Sequence, residues 1–383
     1  MKKEIIILSN WYLPGNKAGG IIRAAENLVG LLSEESAVTV LTSSKDFNAI
    51  NHYNSIEFNK KVTINNYKVV YFDKSGLRLS KCIFDYIKQS NPDFIFVNGF
   101  FSLHFSIVPM IFKCISILKS QFIVSPRGML KSSALNFNRE KKSLLLRLFK
   151  LLNLSKNVVF HATDIQESND VKNLFKDAIV VVVSDIPAKF VSNSIKLDKE
   201  VGTLNLLFLG RIHPVKNLLF ILELLKNSKQ FYSINFSIVG NIEDTNYWEV
   251  CKQEIEKMPK NIKVDFLGEV LHQDVSTVIN KNHLIINPSL GENFSYTIVE
   301  SLQGGRPILI SDQTPWKNLA QFGAGWDFPL ANIDAFLSSI AIASQWSQKD
   351  FDLASKNAIN YYFAQLSLKE IKEKYFNLFQ LNC

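Results

Sequence analysis

His283-Leu284-Ile285-Ile286-Asn287-Pro288-Ser289-Leu290-Gly291-Glu292-Asn293-Phe294-Ser295-Tyr296-Thr297-Ile298-Val299-Glu300 changes character twice along its length. It opens on an apolar run of the kind that a parallel sheet buries. A Pro/Gly loop follows, and a helix is expected to start near Phe294. Strand, loop and helix in that order are one step of an α/β fold. The N–H groups of Asn293, Phe294 and Ser295 would point out of the helix start, where the macrodipole favours an anion. Glu292 lies in the loop and Glu300 on the helix, with seven residues between them. A carboxylate beside an anion-binding helix end, with another two turns along, suits a ligand carrying both phosphates and hydroxyls. A nucleotide sugar is such a ligand.

The same step recurs upstream. Phe208-Leu209-Gly210-Arg211-Ile212-His213-Pro214-Val215-Lys216-Asn217 ends a buried strand at Gly210 and enters a Pro-containing turn. Arg211 and Lys216 bracket that turn and can converge on one point. Arginine offers a bidentate fork to phosphate oxygens and lysine a point charge. Such a pair can neutralise a diphosphate leaving group as its bond breaks. Two solvated loop cations are the plain alternative. Further strands are expected at Phe236–Gly240, Ile262–Phe266 and Pro307–Ser311, with helices between them and a largely helical end from Asn332.

The N-terminal half reads the same way. Glu4–Asn10 is a buried parallel strand, followed by a loop with Pro14, Gly15, Gly19 and Gly20 and a helix over about Ile21–Leu32. Gly19-Gly20 lets a diphosphate approach the backbone, or simply makes a tight turn. Strands follow at Val38–Thr42, Tyr67–Tyr71, Phe94–Asn98, Phe122–Ser125, Val158–His161 and Ile179–Val183. Ser125-Pro126-Arg127-Gly128-Met129 lies just past a strand end, where such folds place ligands. Arg127 there meets a phosphate or an acceptor, or is a surface arginine. The fold class is therefore α/β, with two Rossmann-like domains across a cleft: residues 1–191 and 203–365. The polar stretch Ser192–Gly202 is the linker, and 366–383 is a C-terminal helix expected to pack back on the first domain.

With 383 residues, 47% of them hydrophobic, the chain can fill two cores. Its net charge of +8 points to an acidic partner: phosphates, an anionic membrane surface or nucleic acid. No RNP-type aromatic strand is present, so nucleic acid is not expected. Cys82, Cys114, Cys251 and Cys383 are scattered with no CxxC pair, which indicates neither zinc nor disulfides and suits a reduced cytosolic compartment. The apolar run Ile5–Leu8 is too short for a signal peptide, and no stretch approaches a transmembrane helix, so any membrane contact is expected to be peripheral. In Asn138–Lys156, Leu144, Leu145, Leu148, Leu151 and Leu152 are read as one helical face, with Arg147 and Lys150 opposite. Such a helix lies on an anionic membrane or packs on a core with its basic face in water. Asp350-Phe351-Asp352 matches a D-x-D metal pattern but falls in the helical end, and no catalytic metal is expected.

Gly210-Arg211…Lys216-Asn217, then Pro288-Ser289…Glu292 with seven residues to Glu300, then Gly304-Gly305-Arg306-Pro307, resemble glycosyltransferase family four. Members of that family are retaining enzymes of the GT-B fold. The resemblance covers most of the second domain and, more loosely, the first. It implies that Arg211 and Lys216 hold the donor diphosphate and that Glu300 binds the ribose hydroxyls. Glu292, with the amides of Asn293, Phe294 and Ser295, would hold the donor sugar and support the anomeric centre. Leu267, Gly268, Glu269 and Val270 would lie along the base, as would Gly240, and Gly19 and Gly20 would cap the phosphates. The leaving phosphate would help to take the acceptor proton, with no cofactor beyond the nucleotide-sugar donor.

Two departures stand out. The family's usual E-G-F-G reads Glu292-Asn293-Phe294-Ser295, and Arg127 stands where many members place a histidine. His161 is the nearest candidate for a histidine in the cleft, or is a satisfied structural residue. The expected activity is transfer from a nucleoside diphosphate sugar, UDP-linked first, to a hydroxyl of a growing, lipid-linked surface glycan such as a lipopolysaccharide. The expected location is cytoplasmic, peripheral on the inner membrane face. A nucleotide-sugar epimerase of the same shape, a non-catalytic sugar-nucleotide or membrane-binding protein, and a nicotinamide dehydrogenase are the competing readings. The missing GxGxxG counts against the last.

Overall fold

The computed structural model describes residues 2–54, 56–135, 139–188, 197–227 and 232–381. It divides into two α/β units, Met1–Ile186 with Leu368–Cys383, and Pro187–Ser367. The boundary therefore precedes the expected linker, of which residues 192–196 lie outside the described residues.

The first unit is built on an eight-stranded sheet of β1 (Glu4–Ser9), β2 (Ala37–Ser43), β3 (Lys61–Ile64), β4 (Tyr67–Phe72), β5 (Phe94–Asn98), β6 (Gln121–Ser125), β7 (Val159–Ala162) and β8 (Ile179–Val182). Its order is β3-β4-β2-β1-β5-β6-β7-β8. Only β3 runs antiparallel, in a hairpin with β4 that turns through Asn65 at φ 52°. That strand was not read from the sequence, because it is a short, half-exposed edge strand without an apolar run. In β1, by contrast, Ile5 through Ser9 are buried between helices, as parallel strands require. The last helix, Leu368–Leu378, belongs to this unit: Phe379, just past its end, packs on Phe94 and Phe96 at ring distances of 5.5 and 6.0 Å.

The second unit has a six-stranded sheet of β9 (Thr203–Leu209), β10 (Ser233–Val239), β11 (Ile262–Gly268), β12 (Leu284–Asn287), β13 (Ile308–Ser311) and β14 (Gly325–Phe328). All its pairings are parallel, in the order β11-β10-β9-β12-β13-β14. Numbered within the unit this is 3-2-1-4-5-6, the doubly wound order whose ligands bind where the chain reverses direction. The reversal lies between β9 and β12, the two strands whose following turns carry Arg211, Lys216 and Glu292. In the first sheet it lies between β1 and β5. The four-residue β14 also escaped the sequence reading; it opens on Gly325, where a Cβ would lie 1.9 Å from the Ile308 carbonyl oxygen.

The helix Arg139–Leu151 corrects the face drawn from the sequence. Phe149 is buried, with ring contacts to Phe100 at 5.0 Å and Phe175 at 4.9 Å, and Leu145 and Leu146 pack beside that core. Leu144, Leu148, Leu151 and Leu152 are exposed.

Two buried histidines tie the units' interiors to pH. His161 is pushed down to about 3 by burial, with Arg127 nearby adding to it, and burial pushes His283 to about 4. Both are neutral in the fold, whereas the unfolded chain takes up these protons as pH falls below about 6.5. Their contribution to stability is complete above that pH and is lost on the way down, to about 4 for His283 and about 3 for His161. The melting temperature is expected to fall across this window, and His161→Gln should flatten the fall. Equal slopes for parent and variant would show that His161 does not carry the effect.

Candidate functional site

The turns after β9 and β12 are stitched together by the backbone. Leu290 N–H donates to the Val215 carbonyl at 2.8 Å, and Ser289 Oγ donates to the same oxygen at 3.0 Å. Asn217 Nδ2 donates to the Pro288 carbonyl at 3.2 Å. Asn217 sits in the left-handed region at φ 58°, which asparagine tolerates, and starts the helix Leu218–Lys226. His213 caps the short turn Pro214–Lys216 by accepting from Val215 N–H, and burial lowers its pKa. These bonds fix Lys216 against Glu292, with Nζ 2.5 Å from Oε1 and only 19% and 9% of the side chains exposed. Arg211 pairs instead with Glu243, so the structure gives the two cations separate carboxylates.

The helix begins at Tyr296, two residues later than expected. Phe294 is a packing residue: it is buried against Trp316, whose Nε1 donates to the Phe294 carbonyl at 2.8 Å. Ser295 caps the helix at φ 59°, a left-handed conformation that glycine adopts at less cost. Both polar atoms of the Asn293 carboxamide are buried with no hydrogen-bond partner. Glu300 is buried on the helix Tyr296–Gln303, with Oε1 3.8 Å from His272 Nε2. His272 opens the helix that follows β11, and sequence reasoning missed it. Its only signal was its position at the end of the loop expected to flank the base.

In that loop Leu267 is exposed and Val270 packs on the sheet's second core. Gly240 has a structural duty: a Cβ there would lie 1.8 Å from the Gly210 carbonyl oxygen, where the turns after β9 and β10 cross. The Gly304-Gly305-Arg306-Pro307 motif is structural as well. Arg306 is buried, its pKa lowered to about 10 by burial; it lies 5.5 Å over the Phe351 ring and donates to the Asn280 carbonyl at 2.9 Å. Asp350 closes a capping box with Ser347, and Asp352 accepts from Gln348 at 2.8 Å, so the D-x-D match serves a helix start.

In the first unit, Gly19 at φ 63°, ψ −130° caps the helix Gly20–Leu32 at the β1 side of the reversal point. The loop before it is held by Asp46, which accepts from Asn16 N–H at 2.9 Å, and by Tyr71, whose hydroxyl donates to the Leu13 carbonyl at 2.7 Å. Arg127 and His161 are not surface groups. Arg127 forms an ion pair with Asp185, both about 6% exposed, and its Nε donates to Asn98 Oδ1 at 2.7 Å. His161 is fully buried. Its Nε2–H donates to the Val183 carbonyl at 2.9 Å and lies 3.1 Å from the Tyr375 hydroxyl, and Nδ1 accepts from Ser125 Oγ at 3.0 Å. Of the two readings of His161, the satisfied structural histidine is the one this geometry fits.

Residues 192–349, all within the second unit, match the family described as Glycosyl transferases group 1. The chain is 24% identical over 156 residues to the O-antigen chain mannosyltransferase RfbU of Salmonella typhimurium, across 38% of this chain and 43% of that one. It is 27% identical over 160 residues to the GDP-Man:Man(3)GlcNAc(2)-PP-Dol alpha-1,2-mannosyltransferase of Caenorhabditis elegans, across 40% of this chain and 33% of that one. The match thus spans less than half the length of either relative. Anabaena HepE, solved with UDP and glucose, superimposes with a TM-score of 0.72 over 99% of each chain at 13% identity. WaaG, a glycosyltransferase involved in lipopolysaccharide biosynthesis, superimposes at 0.70 over 98% of this chain and 99% of that one, also at 13% identity. The chain has the α/β GT-B fold of these structures.

Ser295→Gly is expected to relieve the left-handed strain and raise stability by up to about 1 kcal/mol. A lower melting temperature for the variant would mean that the serine side chain stabilises the turn by more than its backbone costs.

Proposed function

We propose that this chain is a retaining glycosyltransferase that moves a sugar from a nucleoside diphosphate sugar to a hydroxyl of a growing, lipid-linked surface glycan. The observation that carries this reading is the Lys216–Glu292 pair at the β9/β12 reversal, with Glu300 buried on the helix that leaves the same loop. An ammonium has three donors and Glu292 occupies one; a guanidinium has five, and Glu243 does not exhaust them. Both cations keep donors for diphosphate oxygens. Glu300 would accept the ribose hydroxyls, and Glu292 with the backbone of Asn293–Ser295 would hold the sugar. As the bond from C1 to the diphosphate oxygen breaks, charge grows on that oxygen, where Lys216 and Arg211 stabilise it. The acceptor oxygen bonds to C1 on the same face, and its proton passes to the departing phosphate.

A UDP-sugar is the first donor reading, supported by the similarity of fold to HepE, which was solved with UDP and glucose. GDP-mannose is the second, favoured by the two mannosyltransferases that match this chain. The O-antigen and PP-Dol relatives support a lipid-linked acceptor, which would place the enzyme on the cytoplasmic face of a membrane.

Lys216→Ala is expected to lower turnover by roughly 10²–10³-fold with the fold retained by circular dichroism; near-normal turnover would remove Lys216 from the diphosphate. Glu300→Ala should weaken donor binding by about tenfold or more in calorimetry, because hydroxyls bound to a charged acceptor lose their partner. Nuclear magnetic resonance of the product should show the donor's own anomeric configuration, and the opposite anomer would refute retention.

A further inference from the structure

The helix Arg139–Leu151 is apolar on two sides, and the protein covers one of them. Phe149, Leu145 and Leu146 turn inward onto the aromatic core. Leu144, Leu148 and Leu151, at i, i+4 and i+7, form a second stripe that is 69%, 38% and 82% exposed. One apolar stripe is what a helix on the surface of a folded unit needs. A second stripe in water marks a surface with something to cover it. Leu152 extends it, and the hydrogen bond from Cys114 Sγ to the Leu152 carbonyl brings the exposed Ile115 alongside.

Charge indicates what the cover is. Residues 139–156 hold six cations and one carboxylate, Glu140. Lys141, Arg147 and Lys150 are exposed on the same helix as the stripe. Arg139, Lys142, Arg147 and Lys150, with Ser132 and Ser143, line a cavity of about 430 Å³. Its cations and hydroxyls are the donors that phosphate oxygens take. Leucines in the acyl boundary with cations at the phosphates are the chemistry of an interfacial helix on anionic lipid. A second copy of the chain would set cations against cations, and a nucleic acid would leave the leucines in water. Among the described residues no helix is long and apolar enough to cross a membrane, so the contact proposed is one in the interface plane.

We propose that this helix docks the protein on an anionic phospholipid bilayer, with Leu144, Leu148 and Leu151 inserted and the basic cavity receiving a lipid phosphate. The inference deepens the lipid-linked reading above. Its test uses no sugar nucleotide, so its failure would leave the transfer reading standing.

The full chain is floated with vesicles of phosphatidylglycerol and phosphatidylcholine, and with phosphatidylcholine alone. The parent is expected to float with the anionic vesicles only. Leu144→Ser/Leu148→Ser/Leu151→Ser and Arg147→Glu/Lys150→Glu should each lower its partition by about tenfold or more at an unchanged melting temperature. Leu151→Trp, which keeps the site apolar, should shift its emission to the blue on anionic vesicles and supports the proposal even where the triple variant misfolds. Several outcomes would overturn it: a parent that stays in solution, variants that float like the parent, or a Leu151→Trp emission unmoved by vesicles. Inorganic phosphate binding in calorimetry without any bilayer binding would assign the cavity to a free anion. A dimer that the leucine variant dissociates would assign the stripe to a second copy.

Discussion

A lysine and a glutamate 76 residues apart in sequence meet in the second unit. The pair is mostly buried, and taking two charges out of water costs several kcal/mol per ion unless geometry and further hydrogen bonds offset it. The surrounding turns supply that geometry. Leu290, Ser289 and Asn217 lock the turn after β9 to the turn after β12. Gly240 lets the turn after β10 pass without a clash. Arg306 pins the end of the helix His272–Asn280 through the Asn280 carbonyl. All of this depends on β9 and β12 being neighbours, and the reversal of strand order makes them so.

Some of the second unit's local strain lies beside the same pair. Ser295 holds a left-handed backbone where glycine would be at ease, and the Asn293 carboxamide is buried without partners. Each costs on the order of 1 kcal/mol or more. Both stand at the positions where Glu292-Asn293-Phe294-Ser295 departs from the glycine-rich pattern it resembles. Local cost of this kind beside a buried ion pair is what proteins carry at functional loops, in keeping with the role proposed for this one. In the first unit the comparable charges, Arg127 with Asp185, are buried near His161 and Tyr375.

Most strands were legible because a parallel strand buried on both faces reads as an unbroken apolar run, as in Ile5–Leu8 and Leu284–Ile286. β3 and β14 were not, being four residues each and only partly covered. The order of motifs around Arg211, Lys216, Glu292 and Glu300 was legible too, but not their pairing: no spacing rule says that Arg211 meets Glu243 while Lys216 meets Glu292. Arg127 and His161 were ambiguous for the same reason. Burial depends on Asp185, Val183 and Tyr375, which are distant in sequence. The helix Arg139–Leu151 showed its amphipathic composition but not which leucines turn inward, because Phe149 was left out of the reckoning. His272 carried no pattern at all; only the fold brings it near Glu300.

The central claim is that the β9/β12 reversal holds the diphosphate of a sugar nucleotide. A panel of sugar nucleotides offered singly, without acceptor, tests it most directly by following thermal unfolding and the slow release of nucleoside diphosphate. At a hundredfold excess over its dissociation constant, the true donor stabilises by about 2.7 kcal/mol, a rise of several degrees. The account predicts that rise, with slow hydrolysis, for one donor of the panel. An unchanged melting temperature and no nucleoside diphosphate release with every member would contradict it.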